Sequence, residues 1–259
     1  MEKADPPETK PALPREASRP DRLRAVSLEA LAQILSAHRI YLETNRQQGT
    51  RADLSAADLM GCDLSGKALR RVKLNHARLR NANLAYANLQ RANLIGADLG
   101  GACLIGADLG GARISGANLD AAQLDAASFV GADLEFAVMT KTVLRQARLR
   151  DADMSGVNLE GADLREADLR AANLRGASLR GARMDRADLR AARLGGAFLD
   201  RASLRQADLR GAYLRLARFD GADLSAADLR DTQGLVRAQL DSASYLIDSR
   251  LPTGLSDPE

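Results

Sequence analysis

Tryptophan is missing from this 259-residue chain, and phenylalanine and tyrosine occur only four times each. That is too little aromatic surface for a conventional globular core of this length. Two cysteines and two histidines are present, too few and too scattered for a disulfide framework or a metal site of ordinary ligand spacing. Cys62 and Cys103 are expected to be free thiols, substituted for Ala and Asp. No stretch approaches the ~18 consecutive apolar residues of a membrane span. Glu2, Asp5 and Glu8 interrupt the N-terminus, so a secretory signal is not expected there and cytoplasm is the expected compartment. No two glycines are two residues apart, which removes the dinucleotide fingerprint; the P-loop, nucleophile-elbow and zinc-protease motifs are missing too. Carboxylates recur at even spacing instead of converging. The sequence therefore predicts no catalytic residue, cofactor or metal, and no enzyme.

What the chain does have is a period of five. An apolar centre falls on every fifth position from Leu54 to Leu229, giving 36 consecutive units, with Ala two before the centre in 31 of them. Ala162-Asp163-Leu164-Arg165-Glu166 is typical. On an α-helix, five residues advance by roughly 500°, so successive leucines would share no face. On a flat strand an odd spacing sends alternate leucines to opposite faces. A coil that turns a corner at each unit can bury them all. Fifteen of the 21 glycines lie two residues after a centre, where a turn needing positive φ favours glycine. Ile114, Phe129, Met139, Met154, Met184 and Phe219 replace the central Leu and keep the interior apolar.

The Ala-(Asp/Asn)-Leu-x-x run resembles the pentapeptide-repeat proteins over about 180 of the 259 residues. The spacing alone does not separate three sides per turn from four. The resemblance implies an all-β solenoid, a right-handed four-sided parallel β-helix. Its coils would number about nine, and the rod would be about 40 Å long.

The ends differ from the middle. Residues 1–24 hold five of the seven prolines and are expected to form a disordered tail. Residues 25–50 read as a capping helix, with Ser27 at its N-cap and Leu28, Leu31, Leu35 and Leu42 along one stripe. The repeat domain is assigned to 51–231. Residues 232–259 are assigned to a C-terminal cap: Asp231-Thr232-Gln233-Gly234 is read as adding one residue, Leu235, Leu240 and Tyr245 as the next apolar positions, and 234–243 as a short helix. Lys67, at an inward place, predicts a locally distorted coil. In 135–143, Phe136 and Val138 should face outward, marking either a bend or a small binding patch.

With twenty residues per turn, Arg150, Arg170, Arg190, Arg210 and Arg230 form a column. Beside it run Asp168, Asp188, Asp208 and Asp228, with Arg148 at the top. The column reads either as a self-neutralised, solubilising face or as a stripe that docks an anion or partner. Phe198, Tyr213 and Leu216 are outward and are candidate contacts for a homodimer through the C-terminal coils. Residues 51–140 carry nine basic and nine acidic side chains; residues 141–231 carry 18 and 14. Some members of the resembling family shield DNA gyrase from quinolones by imitating DNA, which needs an acidic rod, whereas this chain has net charge +3. Nucleic-acid binding is disfavoured, since the arginine excess is largely offset and stacking aromatics are sparse. The expected function is a non-enzymatic scaffold for an unknown protein partner in a bacterial cytoplasm. The alternatives are a gyrase-binding DNA mimic and an anion or nucleic-acid binder using the arginine column.

Overall fold

A computed structural model describes residues 23–255. Each five-residue unit forms one short side of a coil. The Leu54 N–H donates to the Lys73 carbonyl at 2.8 Å, the Lys73 N–H donates back to Ala52 at 3.1 Å, and the pair recurs along the chain. Parallel bridges consequently join residues twenty apart, from Asp53↔Lys73 to Tyr213↔Gln233. Twenty residues hold four units, so a turn has the four sides that spacing alone left open. With one bridge per side, little of the chain counts as extended strand. The strands proper are β1 (Arg24–Ala25) and β2 (Ala57–Asp58), paired in parallel.

Corners follow a single backbone rule. All 36 residues two after a centre have φ between 51° and 69°, fifteen of them glycine and twenty-one carrying a side chain. The residue before the centre shapes the corner. Oδ1 of Asp53, Asn83 and Asp208 each accepts the N–H two residues on, at 3.1 Å. This side-chain-closed turn is the physical reason for Asp or Asn at that place. Inside, every one of the 36 centres is fully buried, each worth about 1.5–3 kcal/mol of transfer free energy. Thr142, the one hydroxyl at an inward place, donates to the Met139 carbonyl at 2.7 Å and so is buried without an unmet polar group.

The N-terminal end is covered by α1 (Leu28–Glu43), whose first turn is capped by Ser27 accepting from the Ala30 N–H. Leu31 joins the buried core and Ile34 and Leu35 pack against it. His38 is fully buried, and its Nδ1 accepts the Ala52 N–H at 3.1 Å. The expected stripe is corrected at Leu28, which is 80% exposed. It sits at the first helical position, before the helix passes over the coil, and His38 takes a buried place instead. The tail boundary is corrected too: Arg24 lies in β1 and pairs with Ala57, adding a rung beneath the helix. The rest of that tail, residues 1–22, lies outside the described residues.

Lys67 does not distort its coil. The neighbouring bridges Asp63↔Asn83 and Ala68↔Asn88 are in register, and Lys67 is exposed, lining a groove below α1 with Leu31, Leu35 and Asp63. The open edge beside the helix gives its ammonium a route to water. Through 135–143 the ladder also runs unbroken, at Val138↔Asn158 and Val143↔Asp163.

At the C-terminal end the register slips by two residues, not one, and later than expected. Gln233 still pairs twenty back, while Tyr245 pairs with Asp223 and Arg250 with Asp228. The extra residues are taken up around α2 (Arg237–Asp241). Leu235 and Leu240 are buried as expected, but Tyr245 is exposed and Leu246 packs on the core in its place. The slip puts Tyr245 under Asp223, an outward column. Residues 256–259 of the expected cap lie outside the described residues.

Candidate functional site

The interior is filled, so what the chain can recognise is set by its outer columns. Arg170, Arg190 and Arg210 each grip the Asp two residues before in a two-pronged fork, with Nε–Oδ1 at 2.7–2.9 Å and Nη2–Oδ2 at 2.6–2.7 Å. Each also reaches the Asp of the next coil, at 3.5–3.8 Å. Arg230 closes the series on Asp228, while Arg150, which has Arg148 where the others have Asp, turns to Asp151 at 3.2 Å. The forked arginines hold Asp168 and Asp208 below the usual carboxylate range and Asp228 at about 2. Four of the five column arginines are thus already bound to carboxylates of this chain by charge-assisted, two-pronged bonds.

The apolar candidates are separate features. Phe136 is 65% exposed at a corner, and its ring covers Gly156, where an added Cβ would run into Cε1 and Cδ1. His76 over Gly96 and Tyr86 over Gly106 repeat that arrangement. Val138, two residues on, is 40% exposed in the adjoining side. Phe198 lies between two guanidiniums, Arg180 at 4.5 Å and Arg218 at 5.7 Å from its ring centre. Tyr213 lies against Gly195 on a different side, and Leu216 is 73% exposed at a corner. The three proposed dimer contacts therefore fall on two sides and a corner instead of forming one flat patch.

Asp163 collects Arg165 at 2.7 Å, Arg145 at 2.8 Å and Arg183 at 3.9 Å. Burial opposes its charge, yet the Arg165 and Arg145 hydrogen bonds hold it well below the usual range. Cys62 and Cys103 are free and half-buried. Among the described residues no group of three or more His, Cys, Asp or Glu side chains could hold a metal ion, and no helix is long and apolar enough to cross a membrane.

One cluster escaped the sequence reading. Arg46, Arg51, Arg70, Arg71 and Arg91 gather where α1 meets the coils. Among the described residues the ion pairs of this end are Arg39–Glu43, Lys73–Asp53, Arg78–Asp58 and Arg80–Asp98, and none uses any of the five. Arg46 above all, then burial, Arg91 and Arg70, push the Arg71 guanidinium's pKa down. Arg51 Nε donates to the Arg71 carbonyl, tying the first coil to the second. The stem of Arg91 lies along Gly111, 3.6 Å from where a Cβ would stand. Arg51, Arg71 and Arg91 are twenty apart, the same signal that picked out the C-terminal column. Arg46 comes from outside the repeat, and counting charge along the chain hid the group behind acids on other sides.

The family model described as "Pentapeptide repeats" matches in eight copies, over residues 68–101, 92–129, 102–140, 127–165, 167–206 and 199–232. A trypsin-treated form of QnrB1, a plasmid-mediated fluoroquinolone resistance protein, is similar in fold. It is 19% identical, with 76% of this chain and 93% of that one covered and a TM-score of 0.54. A second trypsin-treated form gives a TM-score of 0.53. HetL, a pentapeptide repeat protein involved in heterocyst differentiation regulation from the cyanobacterium Nostoc, is 32% identical over 81% of this chain and 91% of its own, with a TM-score of 0.30. A search of curated proteins finds no match.

Proposed function

Since the chain belongs to the pentapeptide-repeat family, we propose that it is a non-enzymatic scaffold whose outer columns dock a protein partner. On this reading the rod is right-handed and of about nine coils, residues 51–231 form it, and residues 25–50 and those from 232 onward cap it. The observation that carries the reading is the complete burial of all 36 centres. A core filled from end to end puts recognition on the outside, where side chains repeat at coil spacing along flat sides. The Asp–Arg forks support reading the Arg150–Arg230 column as a solubilising face, and Phe136 with Val138 as the apolar contact of a docked partner. Homodimerisation through Phe198, Tyr213 and Leu216 is the assembly to test, by sedimentation of Leu216→Asp against the parent chain.

Capture with the tagged full chain, compared with a Phe136→Ala/Val138→Ser variant, tests the scaffold. A specific partner that the variant loses is expected; capture of nothing above a control rod overturns the reading. The fold likeness to QnrB1 favours a second reading, a gyrase-binding DNA mimic. Its net charge of +3 argues against imitation of a polyanion. Protection of gyrase supercoiling from a quinolone would establish the mimic, and no protection at micromolar protein would remove it.

A further inference from the structure

We infer that the corner where α1 meets the first coils, built from Arg46, Arg51, Arg70, Arg71 and Arg91, binds a short run of carboxylates in a partner protein. The inference rests on the scaffold reading and names the chemistry of one partner segment. Two contrasts within this molecule carry it. Arg170, Arg190, Arg210 and Arg230 are each gripped by an Asp two residues away, so an incoming anion would have to displace a fork already made. Among the described residues the five N-terminal guanidiniums have no such carboxylate, and an arriving one meets mutually repelling donors. Removing that repulsion adds to the attraction of each new pair.

Backbone geometry gives the second contrast. Arg46, Arg71 and Arg91 have φ of 74°, 63° and 55°, in the left-handed region where a side chain is disfavoured and glycine is not. Immediately below, the same corner column reads Gly111 and Gly131. In this column arginine is thus held at left-handed positions in the coils nearest the helix, and the next two coils carry glycine there. Gly110, Gly111, Val130 and Gly131 line an open depression continuing from Arg91, with Arg148 and the Asp108 carboxylate, which accepts from Gln90, also on its wall.

Size decides between partners. Arg51, Arg71 and Arg91 lie one coil apart, so the column spans about 10 Å. Proteins that hold duplex DNA commonly neutralise about six to ten phosphates, more than five guanidiniums confined to two coil steps can reach. Tyr41 is stacked on His38 at 5.9 Å, so it is not a platform on which a base could stack. An acidic segment of three or four residues matches the footprint, its carboxylates taken by guanidinium forks.

The test is fluorescence anisotropy of a labelled hexaglutamate peptide titrated with the full chain, beside a labelled six-nucleotide single-stranded DNA. Binding of hexaglutamate that weakens with salt is expected. Arg71→Gln/Arg91→Gln should reduce its affinity at least about tenfold, while Arg170→Gln/Arg190→Gln should change it by less than about twofold. Melting temperatures of both double variants separate lost binding from lost fold, and Arg71→Lys/Arg91→Lys, which folds with the charge kept, should bind between the two. No binding by the parent chain, equal losses in both double variants, or tighter binding of the oligonucleotide would each overturn the proposal. Because the peptide is a defined probe, this titration can fail while partner capture succeeds, and the reverse, so the two readings fall separately.

Discussion

Corner side chains in this molecule lean toward the next coil, and the residue waiting below is often glycine. Gly116 and Gly156 share φ of +63°, but Gly116 has nothing within 4 Å of an added Cβ, whereas Gly156 is covered by Phe136. Gly116→Ala should therefore cost only the left-handed backbone penalty, about 1–2 kcal/mol. Gly156→Ala should cost that and the displacement of the ring as well. Urea unfolding of both variants, repeated with Phe136→Ala, checks this: the excess at Gly156 should vanish once the ring is gone. A persisting excess would place its cause in the backbone. The Asp or Asn before each centre was legible in the sequence as a preference, but its reason was not. That reason is a hydrogen bond to the N–H two residues on, which exists only after the corner has formed.

Two elements respond to acid in different windows. His38, under α1, has its pKa lowered from 6.5, first by burial and also by Arg51, against the pull of the Arg70 carbonyl. The unfolded chain therefore takes up a proton before the folded one. Stability from this group is intact above about pH 6.5–7 and declines as pH falls below it. Denaturant midpoints at pH 7.5 and 5.5 should show the decline, and His38→Gln should flatten it. The forked column behaves oppositely in origin. Asp228, held at about 2 by Arg230, and Asp168 and Asp208, also lowered, stabilise the fold above the ordinary carboxylate value of 3.8. That contribution is lost as pH falls from about 4 through 2. Thermal melts across that range should fall less steeply for Asp208→Asn/Asp228→Asn than for the parent. The helix itself could be read from its leucine spacing and Ser27. The outward turn of Leu28 could not, because spacing does not say where the helix first meets the coil. Nor could the two residues absorbed near α2, since bridge partners and not local composition reveal a slip.

The whole molecule is one long core in which a coil contacts chiefly its neighbours. Leu164→Ala, at a fully buried centre, should cost about 2–5 kcal/mol. Hydrogen exchange should show the loosening confined to the coils around residue 164, as nearest-neighbour coupling requires. Uniform loosening from end to end would mean a single cooperative unit. At this scale the period of five revealed nearly everything about the interior, because all its units are alike. It revealed far less about the exterior. An arginine's carboxylate can lie two residues before it, as Asp168 does for Arg170, or eighteen on in the next coil, as Asp163 does for Arg145. Arg71, at a corner with Leu69 two before it, has no carboxylate partner among the described residues, while Arg170 follows Asp168 by two and is gripped by it.

That pitch of twenty residues has a consequence for how such a chain can change. Adding or removing one unit of five leaves the greasy bore as it was, yet swings everything beyond the edit by a quarter of a revolution. A change of four units restores the bearing and merely lengthens or shortens the distance. The helix-end arginines and the distant Asp–Arg zipper could thus be re-aimed relative to each other by short insertions between them, without any mutation at either, so that orientation could drift freely while the scaffold itself held constant.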